Sequence, residues 1–168
     1  MVHSIELIFD RDTEDAVRRI WDELAGAGIP SQAPASRPHV TLAVAENIAA
    51  DVDDLLRPVS ARLPIGALIG APLLFGRSDA VFARLLVPSV ELLALHAEVH
   101  RLCGPYLMPA ALPNSLPGQW TAHVTLARRV GAGQLGRALR IAGRPAQLHG
   151  SFAGLRRWDG SKRVEHLL

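Results

Sequence analysis

At two places in this chain, two strand-like segments are joined by a turn that is too short to hold a helical crossover. Residues 66–75 and 80–87 are rich in apolar and β-branched residues and flank a four-residue turn at 76–79. Residues 146–157 and 162–167 flank a second turn that carries an Asp-Gly pair. Consecutive strands that are joined by tight turns pair antiparallel. The chain is therefore expected to contain an antiparallel sheet.

Segments with helical periodicity separate the remaining strands. The predicted order is β-α-β-α-β-β-α-β-α-β-β, and this mixture with hairpins favours an α+β fold over a doubly wound parallel sheet. At 168 residues, the chain suits a single domain over 1–168, made of two lobes that share a core. The predicted helices begin at Asp12-Thr13, span Ala49–Leu63 with an interruption at Pro58, span Val90–Leu102 after a Ser89 cap, and span 133–142, while the other predicted strands are 3–10, 39–45 and 120–130.

Charge is distributed unevenly between the two halves of the chain. Residues 1–84 hold 8 basic and 12 acidic side chains, whereas residues 85–168 hold 10 basic and 4 acidic ones. A basic second half is compatible with an anionic ligand. The apolar run 65–75 is broken by glycine and proline, so we expect no membrane span. The N-terminus shows no signal-peptide pattern, and a single cysteine, Cys103, suits the reducing cytoplasm.

One tetrapeptide occurs twice, as His39-Val40-Thr41-Leu42 and as His123-Val124-Thr125-Leu126. Both copies fall on predicted strands, where residues i and i+2 face the same side. Each copy should therefore present one imidazole and one hydroxyl on one face, with apolar neighbours packed on the other. Two such strands facing each other would bring two imidazoles and two hydroxyls together.

This set of groups suits phosphoryl chemistry. Imidazole has an unperturbed pKa close to neutrality, so one histidine can accept a proton while the other donates one. Hydroxyl groups can donate hydrogen bonds to the non-bridging oxygens of a phosphate. The sequence therefore predicts that His39 and His123 are an acid–base pair that acts on a phosphodiester without a metal.

Other chemistries have weaker signals. His96 and His100 are spaced as a metal pair on one helix, but a zincin glutamate is lacking and their apolar neighbours favour a half-exposed helix face. Cys103 is read as a small buried hydrophobe rather than a nucleophile. The chain has neither a Gly-x-Ser-x-Gly elbow nor a glycine-rich phosphate loop with lysine, and we expect neither a metal nor a cofactor.

The segments Pro38-His39-Val40-Thr41-Leu42 and Ala122-His123-Val124-Thr125-Leu126 resemble the paired motifs of the 2H phosphoesterase superfamily, and within it the 2′–5′ RNA ligase-like branch. The motif separation, the chain length and the element order also agree. The resemblance implies a bilobal fold, with two pseudo-symmetric antiparallel sheets and outer helices around a central cleft. It also implies a monomer that acts on RNA 3′ ends or nucleotide cyclic phosphates.

The activity implied by the resemblance is metal-independent opening of 2′,3′-cyclic phosphates, which leaves a 2′-phosphate. His39 and His123 would transfer protons. The two identical motifs do not distinguish the acid from the base, but by analogy with the family His39 would protonate the leaving oxygen and His123 would act as the base. Thr41 and Thr125 would bind the phosphate. Alternatives are a 2′–5′ RNA ligase, an ADP-ribose cyclic phosphate hydrolase, and a non-catalytic RNA- or nucleotide-binding module.

Two features of the site stay open at the level of sequence. Relatives place an arginine shortly after the second motif, which Arg128 matches, yet strict strand alternation would turn Arg129 toward His123 instead. A bulge would resolve this in favour of Arg128 as a phosphate ligand. A nucleotide base also calls for an aromatic partner. The candidates are Phe9, Trp120, Phe152 and Trp158.

Overall fold

A computed structural model describes residues 2–32, 36–76 and 79–168. The predicted element order is confirmed, with the addition of two short strands that pair with each other. Part of the predicted turn at 76–79 lies outside the described residues. The elements are β1 (His3–Phe9), α1 (Arg11–Gly26), β2 (His39–Ala45), β3 (Asn47–Ile48), α2 (Val52–Ser60), β4 (Ile65–Phe75), β5 (Ala80–Leu86), α3 (Val90–Cys103), β6 (Leu107–Met108), β7 (His123–Val130), α4 (Leu135–Ala142), β8 (Leu148–Asp159) and β9 (Val164–Leu167).

Most helix and strand ends fall within a few residues of their predicted positions. The first helix is capped by Asp10 rather than opened at Asp12, because the Asp10 carboxylate accepts a hydrogen bond from the backbone N–H of Thr13. The second helix is shorter than predicted, and Pro58 lies in its last turn. No helix in the described part of the chain is long and apolar enough to span a membrane.

The large sheet is antiparallel and follows the order β2-β1-β8-β4-β5-β7, with β9 beside β8. Strand β8 joins its two halves. Residues 148–152 of β8 pair with β4, and residues 152–158 pair with β1. The two sheets expected from the family resemblance are thus halves of one hydrogen-bonded sheet. Its end strands β2 and β7 approach within 8 Å between Cα atoms, so the sheet curls until its edges meet.

The chain contains the same structural unit twice. In both β1-α1-β2 and β5-α3-β7, a strand leads into a helix, and a loop returns to a strand that pairs antiparallel with the first. The register is also matched, because Ile8 stands opposite His39 and Leu85 stands opposite His123. The repeated tetrapeptide therefore occupies equivalent positions in two related units.

Apolar side chains from both units form one core. The predicted helical stripe of α1 is buried at Val17, Ile20, Trp21 and Leu24. Helix α3 contributes its own buried stripe, and the inward residues of both motif strands complete the core. Burial of this face fixes which way the histidines point, since a one-residue slip would expose the apolar residues.

Candidate active site

Both motif strands show the alternation that the sequence predicts. Val40 and Leu42 are fully buried, while His39 and Thr41 are only half-buried on the opposite face. On β7, Val124 and Leu126 are likewise buried, and His123 and Thr125 are half-buried. Each strand thus presents one imidazole and one hydroxyl away from the core.

Both imidazoles have a backbone carbonyl beside Nδ1. Nδ1 of His39 lies 2.7 Å from the backbone oxygen of Arg37, and Nδ1 of His123 lies 2.7 Å from that of Thr121. A carbonyl can only accept a hydrogen bond, so Nδ1 carries the hydrogen in both rings. In each neutral ring the lone pair is then on Nε2, which is the nitrogen that can gain or lose a proton.

Each repeat covers the outer edge of the other repeat's motif strand. The indole N–H of Trp21, on α1, donates to the backbone oxygen of Thr125 at 3.1 Å. The indole N–H of Trp120 donates to the backbone oxygen of Thr41 at 2.9 Å. Ser31 adds a hydrogen bond from its hydroxyl to the backbone oxygen of Leu126 at 3.2 Å. These contacts satisfy carbonyls at the two free edges of the sheet.

A pocket of about 40 Å³ lies between the motif strands and shares residues with a cleft of about 990 Å³ that runs along β1 and β8. His39 and Arg128 line both cavities, Thr125 lines the smaller one, and Thr41 lines the larger one. His123 does not line either cavity directly. The small pocket is lined by Trp21, Gln32, Ser36, Arg37, His39, Thr125 and Arg128.

His123 is packed beside Phe75, at the end of β4, with ring centroids 4.7 Å apart. Sequence reasoning did not identify Phe75, because an aromatic residue at the end of an apolar strand reads as core. It is instead partly exposed. The ring of Phe75 restricts the positions open to the His123 imidazole.

A bulge in β7 places Arg128 in the cleft. Ala83 pairs with Thr125 and Phe82 pairs with Ala127, so Leu126 is an extra residue on β7. Leu126 and Ala127 are both buried, and the alternation resumes one residue later, which turns Arg128 to the same side as Thr125. A second irregularity follows at Arg129, which takes a left-handed conformation with φ 56°.

The two histidines differ in their electrostatic surroundings. Burial lowers the pKa of His123 below 6.5, and the charges of His39 and Arg128 lower it further. His123 is therefore neutral at pH 7. His39 has charged neighbours of both signs, because a carboxylate oxygen of Glu6 lies 3.6 Å from its Nε2 and Nη2 of Arg156 lies 3.4 Å from its Nδ1. Glu6 stands opposite Thr41 in the first repeat, whereas Ala83 stands opposite Thr125 in the second.

Glu6 belongs to a buried ion pair that the sequence did not reveal. Arg156, on β8, donates to one Glu6 oxygen through Nε at 2.8 Å and places Nη2 2.7 Å from the same oxygen. Arg156 also contacts Glu165 at 2.6 Å, and Ser4 donates its hydroxyl hydrogen to Glu6. The sequence carried one sign of this ion pair, because Glu6 is an acidic residue in a strand whose other residues could all be buried. A buried carboxylate is rarely left without a partner.

Among the aromatic candidates for base stacking, Trp158 lines the cleft. Phe9 and Phe152 are buried and stack on each other, with centroids 5.0 Å apart. Trp120 stacks on His96, with centroids 3.9 Å apart, and its indole N–H is already bonded. Three of the four candidates are therefore committed to packing.

The weaker chemical candidates have structural roles. His96 is buried rather than half-exposed, and both His96 and His100 place Nε2 within hydrogen-bond distance of the backbone oxygen of Leu42. Burial raises the pKa of Cys103 to about 12, so its thiol stays protonated. Over residues 2–32, 36–76 and 79–168, no group of three or more His, Cys, Asp or Glu side chains could hold a metal ion.

A duplicated α+β unit that presents one histidine and one threonine from each copy defines the class of two-histidine phosphoesterases. Residues 12–160 match the family model described as the 2′-5′ RNA ligase superfamily. The chain therefore belongs to the 2′-5′ RNA ligase superfamily, and the resemblance inferred from its two motifs is confirmed.

Solved structures share this fold over nearly the whole chain. The structure of TT0787 from Thermus thermophilus has a TM-score of 0.62 at 17% identity and covers 100% of this chain and 95% of its own. Kluyveromyces marxianus Usb1 has a TM-score of 0.58 at 12% identity, covering 99% and 98%. Escherichia coli LigT has a TM-score of 0.57 at 11% identity, covering 99% and 92%. Among curated proteins, none matches the sequence significantly.

Proposed function

We propose that this protein is a metal-independent phosphoesterase that opens 2′,3′-cyclic phosphates on RNA ends or nucleotides and leaves a 2′-phosphate. The observation that carries the proposal is the matched pair of imidazoles. Each has Nδ1 tied to a backbone carbonyl and Nε2 available for proton transfer, but only one lies beside a carboxylate. Such a pair can supply a base and an acid at the same pH.

His123 acts as the general base, because its lowered pKa keeps it neutral at pH 7. Water attacks the phosphorus and gives its proton to Nε2 of His123. The bond between phosphorus and the ribose O3′ breaks, and O3′ takes the proton from Nε2 of His39. A carboxylate oxygen of Glu6 lies 3.6 Å from this Nε2 atom. Proton exchange with solvent then restores both rings.

Thr41, Thr125 and Arg128 hold the non-bridging oxygens of the phosphate. In the part of the chain that the structure describes, neither threonine hydroxyl has a hydrogen-bond partner, and Arg128 has no acidic partner. Hydroxyl and guanidinium donors of this kind stabilise negative charge as it builds up on the phosphate. Both threonines and the arginine line cavities that also contain His39.

Nucleotide phosphates bound to two relatives support this substrate class. One structure of Kluyveromyces marxianus Usb1 contains uridine monophosphate, and the Escherichia coli LigT structure contains 3′-AMP. A cyclic phosphate at the 3′ end of RNA places the same groups, a ribose and a phosphate, in such a site. Its single cysteine, Cys103, suits a reducing compartment, and we propose that the protein acts in the cytoplasm as a monomer.

The direct test is hydrolysis of a 2′,3′-cyclic nucleotide in excess EDTA, with the products separated to distinguish 2′- from 3′-phosphate. We expect full activity with chelator, and a loss of at least ~10²-fold in rate for either His39→Ala or His123→Ala. His149→Ala, in an exposed histidine of β8, is the matched control. Loss of activity with EDTA, or full activity in the variant that combines His39→Ala with His123→Ala, would reject the mechanism.

A panel of substrates separates the alternatives. Joining or cleavage of 2′–5′ linkages would indicate a ligase-type activity, and turnover of ADP-ribose cyclic phosphate alone would indicate a different nucleotide. Tight binding of 3′-phosphorylated RNA without turnover of any substrate would indicate a binding module. The same two histidines serve the first two outcomes, whereas the third needs neither of them.

A further inference from the structure

The cleft continues beyond His39. Along β1, Ile8 stands opposite His39, Glu6 stands opposite Arg156, and Ser4 stands opposite Trp158. From Ile8 to Ser4 is four residues, which is about 13 Å at about 3.3 Å per residue of strand. The Trp158 end of the cleft lies on the His39 side of the reaction centre and adjoins it through Arg156, whose Nη2 lies 3.4 Å from Nδ1 of His39.

Trp158 is held in place at this far end. Its ring lies under the guanidinium of Arg156, with 5.5 Å between the guanidinium carbon and the ring centroid. Arg156 is itself fixed by Glu6 and Glu165. The rest of the half-buried indole lines the cleft, and nucleic-acid bases stack on aromatic and guanidinium planes of this kind.

Arg163 lines the same end of the cleft, in the turn between β8 and β9. It has a φ of 56°, a left-handed conformation that disfavours residues other than glycine. The Asp159 carboxylate orders the turn by accepting hydrogen bonds from the backbone N–H groups of Ser161 and Lys162. Arg163 is exposed and has no ion pair among the described residues.

The charges of the cleft therefore leave one cation available at each end. Its acids, Glu6 and Glu165, are both paired with Arg156. Arg128, beside the histidines, and Arg163, at the far end, have no acidic partner in the described part of the chain. Two separated cations with an aromatic ring at one of them suit a ligand with two phosphates and a base between them.

The proposed acid role of His39 sets the direction of such a ligand. The ribose oxygen that His39 protonates must lie on the His39 side, so the RNA chain upstream of that ribose runs along β1 and β8. On the basis of the proposed function, we propose that Trp158 and Arg163 form a second nucleotide subsite that stacks a base and binds a phosphate upstream of the terminal nucleotide. The preferred substrate is then a single-stranded oligonucleotide rather than a cyclic mononucleotide.

The experiment compares kcat/KM for a 2′,3′-cyclic mononucleotide with kcat/KM for a trinucleotide that ends in the same cyclic phosphate. Truncation of an aromatic side chain on which a base stacks typically weakens binding by about 10-fold. We expect the trinucleotide to be preferred by at least ~10-fold, and Trp158→Ala to lower this ratio by about 10-fold. Trp158→Tyr, which keeps a stacking surface, should restore most of the ratio.

Arg163→Ala tests the phosphate contact in an exposed residue whose replacement does not disturb the core. It should lower the same ratio and weaken the salt dependence of trinucleotide binding. Lys162→Ala removes one positive charge from the neighbouring residue, which does not line the cleft, and should leave both substrates unaffected.

Binding is measured in parallel with 3′-phosphorylated mono- and trinucleotides, so that the subsite is tested even without turnover. An equal loss on the short and long ligands in the Trp158 variants would assign this ring to the terminal base and overturn the second subsite. Equal affinity of the unmodified protein for both lengths would overturn it as well. Failure of the proposed function shows separately, as length-dependent binding without hydrolysis of either substrate.

Discussion

Replacement of Arg156 by methionine should destabilise the protein far more than replacement of its partner Glu6 by glutamine. Arg156 is 6% exposed and Glu6 is 3% exposed, so the pair is held away from water. In Arg156→Met, the Glu6 carboxylate stays buried with the Ser4 hydroxyl and the His39 ring as its remaining neighbours. Removing one partner of a buried ion pair typically costs about 3–5 kcal/mol, because the other charge is left uncompensated.

The reverse change has a smaller effect, since Arg156 keeps its 2.6 Å contact with Glu165. Glu6→Gln should therefore cost about 1–3 kcal/mol, the usual range for a buried hydrogen bond that is lost or weakened. The double variant should be more stable than Arg156→Met alone, because it removes the stranded charge. For a chain of this size, about 3–5 kcal/mol corresponds to a fall in Tm of roughly 6–20 °C.

The assay is urea unfolding at pH 7 followed by circular dichroism, with thermal unfolding as a second measure. Arg57→Met is the control, because Arg57 forms an exposed ion pair with Asp54 whose loss should cost no more than about 1 kcal/mol. If Arg156→Met is no less stable than Glu6→Gln, or if the double variant is the least stable of the three, then the Glu6 carboxylate is not an unpaired buried charge in Arg156→Met and the reasoning is wrong.

Three further perturbations test individual contacts. The acidic limb of the pH profile of kcat/KM should have its midpoint below pH 6.5, because His123 must be neutral to act as the base. Arg128→Gln should raise that midpoint, because it removes a nearby positive charge. A midpoint above pH 6.5 in the unmodified protein would contradict this. Burial and the neighbouring His100 lower the pKa of His96 to about 4. As the pH falls, this histidine is therefore protonated in the unfolded chain before it is protonated in the folded chain. Stability should then fall by up to about 3 kcal/mol between pH 6.5 and pH 4, and His96→Gln should flatten this fall in urea titrations. Trp21→Phe removes an indole donor to the second motif strand and should cost about 1–3 kcal/mol in thermal unfolding, whereas an unchanged Tm would show that water replaces the bond.

The parts of the fold that sequence predicted well are those where one rule dominates. Strand β2 has the predicted bounds 39–45, because the alternating burial of residues 39–42 fixes which face of the strand is apolar. Helix α3 begins after Ser89 as predicted, since the serine side chain accepts from the backbone N–H of Leu92. Strands β3 and β6 were missed because two residues are too few to show a period.

The parts of the site that sequence did not predict depend on contacts between distant segments. Nothing local to Glu6 or Arg156 indicates that they pair, since they are 150 residues apart in the chain. The burial of His96 arises from the stacking of Trp120, which lies in a later loop. The bulge that places Arg128 in the cleft was one of two outcomes that the sequence left open, and pairing with β5 decides between them.

The two tryptophan contacts make the reaction centre a shared property of both repeats. A lone β1-α1-β2 unit would leave the Thr41 carbonyl without the Trp120 donor, while its own Trp21 would have no Thr125 carbonyl to bond. Such a fragment could complete its exposed edge by pairing with a second copy about a two-fold axis, each subunit supplying the tryptophan that the other needs. The covalent chain thus holds, within one molecule, a reciprocal interface like that of a homodimer, with one tryptophan supplied by a helix and the other by a loop.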